Sequence, residues 1–120
     1  MIMKQSATIP DTQGLSLEVA ASTFAALGSE QRLMVLRCLV RAGRKGLRIG
    51  ELGERSGVTG STLTHHLKIL AQAGLVTQER QGRSILCAAV AYEDLEGLAA
   101  FLLENCCADA QDTCGETCND

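Results

Sequence analysis

The stretch Ile49-Gly50-Glu51-Leu52-Gly53-Glu54-Arg55-Ser56-Gly57-Val58-Thr59-Gly60-Ser61-Thr62-Leu63-Thr64-His65-His66-Leu67-Lys68-Ile69-Leu70-Ala71-Gln72-Ala73-Gly74 decides the fold. Its first part predicts a short helix over residues 49–56, with Ile49 and Leu52 facing inward. Gly57 stops that helix and Val58 plugs the turn. Thr59 can cap a second helix over residues 59–73, because a hydroxyl can accept from an early helical N–H. Leu63, Leu67 and Leu70 recur at helical spacing on one face, and Gly74 ends the run. Two helices joined by a tight glycine turn form a helix-turn-helix layout.

Opposite the leucines lie Ser61, Thr64, His65 and Lys68, with His66 at the margin. Hydroxyls, an imidazole and an ammonium suit phosphates and major-groove base edges. Downstream, residues 75–80 and 83–89 read as two short strands, with Gln81-Gly82 as the hairpin link. Arg80 and Arg83 flank Gly82, where a wing tip meets backbone or minor groove. The expected DNA-contacting set is therefore Ser61, Thr62, Thr64, His65, His66 and Lys68, with Arg80 and Arg83 on the wing.

Upstream, Leu17, Ala20, Ala21, Phe24 and Leu27 predict a helix that Gly28 ends. Ser29 caps the next, whose stripe is Leu33, Leu36, Leu39 and Val40, and Gly43 closes it. Arg44-Lys45-Gly46 reads as a basic loop. A last helix is expected over residues 92–105, with Leu95, Leu98, Ala99 and Leu102 on one stripe. Phe101 and Leu103 widen its apolar surface beyond what one small domain buries, which suits packing against a second copy. Residues 1–14 read as a flexible arm, 15–107 as one domain, and 108–120 as a flexible acidic tail containing cysteines.

Composition agrees. The 120 residues are 46% hydrophobic, enough for one modest globular core. The three aromatics, Phe24, Tyr92 and Phe101, are too few to stack single-stranded bases. Net charge is −3, but residues 32–83 hold ten of the eleven basic residues and three acids, a local balance of +7. Residues 84–120 hold eight acids and no base. Phosphate attraction follows the local face and not the total, so duplex DNA is the expected partner. No signal peptide or membrane span is visible, so a cytoplasmic protein with reduced thiols is expected.

Residues 63–76, Leu-Thr-His-His-Leu-Lys-Ile-Leu-Ala-Gln-Ala-Gly-Leu-Val, resemble the recognition helix and following strand of the ArsR/SmtB family of metal-responsive repressors. Phe24 to Leu33 and Glu79-Arg-Gln-Gly-Arg83 are similar to that family's second-helix start and wing. The resemblance implies a mainly α fold with a small β-hairpin wing. It implies a winged helix-turn-helix that dimerises through its first and last helices and leaves its operator when an inducer binds. The family's Cys-x-Cys site in the third helix has no counterpart here, nor has its Asp/His/Glu zinc site on the last helix. Asn105-Cys106-Cys107 followed by Cys114 is similar to the arsenic-responsive type. The implied ligands are Cys106, Cys107 and Cys114, with Cys118 a further candidate.

The chemistry of these residues suits a soft thiophile, since thiolates select soft ions. Trivalent arsenic takes three sulfurs in a pyramid, and its neutral hydroxide exchanges three waters for three thiols without a change of net charge. That matters beside Glu104, Asp109, Asp112 and Glu116. No organic cofactor is expected. Adjacent helical residues point about 100° apart, so Cys106 and Cys107 are expected to share an ion only after the helix end bends or unwinds.

Other readings compete. Zinc, cadmium or mercury could take the thiols. A persulfide or redox sensor could pair Cys38 with Cys106 or Cys107; otherwise Cys38 and Cys87 read as small buried hydrophobes. Cys38-Leu-Val-Arg-Ala-Gly-Arg44 fits the Cys-x5-Arg phosphate loop of phosphatases and arsenate reductases. That loop must follow a strand and open a helix, the reverse of the order expected here, so the chain is not expected to be an enzyme.

Overall fold

Residues 15–110 are described by a computed structural model of the chain. Helix α1 spans Leu17–Ala26, and Ser16 Oγ caps it by accepting from the Val19 N–H at 3.1 Å. Helix α2 spans Glu30–Ala42, capped by Ser29 Oγ on the Arg32 N–H at 3.3 Å. Strand β1 is Leu47–Arg48, and α3 is Ile49–Ser56, closed by Gly57 in the left-handed region. Helix α4 is Gly60–Gln72. Strands β2, Val76–Gln81, and β3, Ser84–Ala89, precede α5, Tyr92–Leu103. The sheet is antiparallel in the order β1–β3–β2.

This is a mainly helical winged helix-turn-helix, as the sequence predicts. Its core is Val35, Leu36 and Leu39 of α2, Leu52 of α3, and Leu63, Leu67 and Leu70 of α4. Leu47, Val58, Leu75, Val76 and Cys87 close it. Each fully buried leucine or valine removes enough apolar surface to contribute about 1.5–3 kcal/mol. The α3–α4 pair is thereby seated on α2, with α4's other face outward. Among the described residues, no helix is long and apolar enough to cross a membrane.

Residues 44–46 form the expected basic loop, which leads into a third strand without a sequence signal, Leu47–Arg48, whose Leu47 pairs with Cys87 and Arg48 with Leu86. Two residues are too few to display an alternating pattern. Gly46 admits this strand: its φ is +71°, and a Cβ there would collide with the Cys87 carbonyl oxygen. In the hairpin, Gln81 pairs with Ser84, so Gly82-Arg83 is the turn, one residue later than expected. Gly82 at φ +65° followed by a residue without positive φ matches a II′ turn, which suits strand twist.

The apolar stripes also differ. Leu17 is 74% exposed, and Leu33 and Val40 face outward, while Thr23 and Val35 are buried. Finally, α5 stops at Leu103, short of Asn105, and Leu98 is its one buried residue. The proposed arm, residues 1–14, lies outside the described residues, as does the tail beyond Ala110.

Candidate functional site

Helix α4 is held by its leucine face and presents the other. Ser61, Thr62, Thr64, His65 and Lys68 are all exposed. Thr59 takes the N-cap position, but its side chain makes no capping hydrogen bond, and the first turn carries no acid. Helical N–H groups without a side-chain cap, at the positive end of the helix dipole, suit an anion such as a DNA phosphate. Thr64 Oγ1 donates back to the Gly60 carbonyl at 3.4 Å, which leaves its methyl and lone pairs outward.

His66 departs from the expected groove-facing set. It is buried, and both ring nitrogens are engaged inside the protein. Nε2 lies 2.8 Å from Gln31 Oε1, and Nδ1 lies 3.3 Å from Arg32 Nη1. Arg32 Nε donates to the Ala26 carbonyl at 2.6 Å. Its burial, then the Arg32 charge, then His65, hold the His66 imidazole below the ordinary histidine range. A ring so placed cannot read a base edge. No local pattern points to Gln31 and Arg32, because 35 and 34 residues separate them from their partner.

The wing places Arg83 in the tight turn and Arg80 on β2, and both are exposed. Among the described residues the one ion pair is Arg55 with Glu51, at 3.1 Å on the surface of α3. Among the described residues no other cation of the basic segment is paired with a carboxylate, which suits a positive face for phosphates.

The cysteine pair lies beyond the last helix. After Leu103 the chain continues in turns, with the Cys106 N–H donating to the Leu103 carbonyl at 2.9 Å and the Ala110 N–H to the Cys107 carbonyl at 3.0 Å. Cys107 adopts φ +61°, a left-handed conformation that costs a residue with a Cβ about 1–2 kcal/mol. The two Sγ atoms converge to 3.6 Å. Both cysteines lie after the helix, so the sulfurs approach each other without the bending or unwinding of a helix end that was expected to be required. A bonded pair would stand at about 2.05 Å, so the vicinal sulfurs are not joined to each other. Cys107 is nonetheless disulfide-bonded. Two sulfurs on one tetrahedral zinc at about 2.3 Å would stand about 3.8 Å apart, so with Cys107 reduced a separation near 3.6 Å is one that a soft ion can span.

Cys114 and Cys118 lie outside the described residues. Within 15–110, no three His, Cys, Asp or Glu side chains gather as a metal site. Cys38 and Cys87 are free thiols. Cys38 is half-buried in the middle of α2, packed against the core. The Cys-x5-Arg run therefore starts inside a helix that ends at Ala42, and its cysteine does not face a helix N-terminus. Cys87 is fully buried, and burial pushes its thiol up.

Residues 27–79 match the family described as a helix-turn-helix domain. YceK of Bacillus subtilis, an uncharacterized HTH-type transcriptional regulator, is 36% identical over 84 residues, covering 70% of this chain and 74% of that protein. The HTH-type transcriptional regulator NmtR of Mycobacterium tuberculosis is 42% identical over 67 residues, covering 55% of this chain and 52% of that protein. Among solved structures, NolR from Sinorhizobium fredii aligns with a TM-score of 0.58 at 25% identity, over 85% of this chain and 95% of that one. The homodimeric winged helix-turn-helix DNA-binding domain of a possible ArsR-family transcriptional regulator from Mycobacterium bovis aligns with a TM-score of 0.57 at 23% identity, over 87% and 91%.

Proposed function

Because the chain belongs to the HTH-type transcriptional regulators, non-enzymatic DNA-binding proteins, we propose that it is a homodimeric repressor of the ArsR/SmtB type. On this reading it occupies operator DNA in the cytoplasm and leaves it when trivalent arsenic binds Cys106, Cys107 and Cys114. The homodimeric relative of the same fold supports the assembly. So does the apolar surface left outward on the two terminal helices: Leu17 is 74%, Leu102 67% and Leu103 64% exposed.

The observation that carries the inducer is the 3.6 Å approach of the Cys106 and Cys107 sulfurs immediately after α5. Arsenous acid has three hydroxyls on one soft centre. Each thiol replaces one hydroxyl and gives its proton to it, so three As–S bonds form, three waters leave and no atom changes oxidation state. The reduced thiols are the reactive form, so the cysteines are kept reduced in the assay. Binding fixes the segment that follows α5 and pulls on the dimer helix. The spacing of the two recognition helices, which must match one DNA turn of roughly 34–36 Å, then changes. Inducer and operator oppose each other reciprocally.

The test is release of a fluorescent duplex, selected by the protein from a random-sequence library, by arsenite, methylarsenite, antimonite, Cd, Zn, Hg and persulfide. Cys106→Ser and Cys107→Ser should bind the duplex as tightly as wild type and ignore arsenite. Release that survives both changes sinks the arsenic reading. Cys114→Ser separates ligands, because a methylated arsenical needs only two sulfurs. A redox reading is the rival. It predicts release by a disulfide-forming oxidant that Cys107→Ser abolishes.

A further inference from the structure

The buried imidazole of the recognition helix ties three elements together. Arg32 belongs to the first turn of α2 and also grips the last carbonyl of α1, Ala26, at 2.6 Å. Gln31 is its exposed neighbour. A guanidinium has donors only, so the His66 Nδ1 opposite it must be the acceptor. The proton then sits on Nε2, which donates to Gln31 Oε1 at 2.8 Å. One tautomer of one protonation state satisfies both contacts.

We propose that Gln31, Arg32 and His66 form a clamp that fixes the roll of α4 against the α1–α2 corner, and that the clamp holds only while His66 is neutral. On the reading that α4 enters a DNA groove, acid therefore loosens sequence-specific binding. A proton on Nδ1 would place an N–H against the guanidinium, donor against donor and cation against cation, 3.3 Å apart. Either the ring turns or Arg32 leaves Ala26, and each change breaks the tie that holds α4 to the α1–α2 corner. The charged and titratable groups that bear on the ring are Arg32 from α2 and His65 from α4, while the end of α1 offers only a carbonyl. Gln31 is at the surface, so protons reach the ring without unfolding. His66 is thus a positioning residue and not a base-reading one. His65, its neighbour at 5.7 Å between ring centroids, stays outward on the groove face.

The experiment measures the ratio of affinities for a library-selected duplex and a scrambled duplex between pH 7.5 and 5, alongside 15N chemical shifts of the imidazoles in the free protein. His66 should be the Nε2–H tautomer at pH 7.5, and the affinity ratio should fall about tenfold as it titrates, the scale of one lost base contact. His65→Asn, whatever its own affinity, should keep that fall. His66→Leu should lower the ratio about tenfold already at pH 7.5. His66→Gln, whose amide can accept from Arg32 and donate to Gln31 but cannot titrate, should recover much of that loss and flatten the pH response. A ratio that is constant through the His66 titration, or an Nδ1–H tautomer at pH 7.5, overturns the clamp. If wild type selects no sequence at all, the DNA-binding reading falls, and the tautomer measurement alone decides the clamp.

Discussion

At the scale of single residues, the buried polar and thiol groups make the sharpest statements. His66 has its folded-state proton affinity lowered, so the unfolded chain takes the proton first as pH falls. Its contribution is complete above the ordinary histidine value of 6.5 and is lost as pH drops from there to the folded value, below which the dependence levels off. Urea midpoints at pH 7.5 and 5 should therefore differ more in wild type than in His66→Gln. Cys87 is fully buried and its thiol pushed up, so native protein should resist alkylation there while Cys38, half-buried, reacts faster. Mass mapping after a brief iodoacetamide pulse checks this. Gly46→Ala forces a Cβ onto the Cys87 carbonyl at a positive φ, and should cost about 1–3 kcal/mol by denaturant melting.

At the scale of elements, the proposed DNA interface divides between α4 and the wing. Exposed hydroxyls, His65 and Lys68 occupy the helix face, and Arg80 and Arg83 the hairpin. Phosphate contacts set the salt dependence of affinity and base contacts set its sequence dependence. Arg80→Ala with Arg83→Ala should flatten the log Kd against log salt slope by about one per phosphate contact removed, with sequence preference kept. Thr64→Ala or His65→Ala should instead narrow the gap between selected and scrambled duplexes. Helix α5 is the other informative element, because a helix that buries Leu98 and leaves Leu102 and Leu103 mostly exposed is unfinished as a monomer surface.

At the scale of the whole molecule, that unfinished surface predicts a dimer. Leu17→Glu together with Leu102→Glu should shift the light-scattering mass from two chains toward one and weaken operator binding, while the core is untouched. The sequence by itself determined the helix-turn-helix, the hairpin, the glycine stops and the outward set on α4. These follow from helical and alternating periods and from turn residues, which are local. It also picked out the cysteine pair. Only the tertiary structure decided the third strand, since Leu47–Arg48 is defined by pairing with Cys87 and Leu86 across some forty residues of chain. It turned His66 inward, because a margin position on a helical wheel is assigned by what packs beside it, and Gln31 and Arg32 come from another helix. It also brought the Cys106 and Cys107 sulfurs together, because the place where a helix without a C-terminal glycine stops is set by the balance of its last contacts, which no periodicity records.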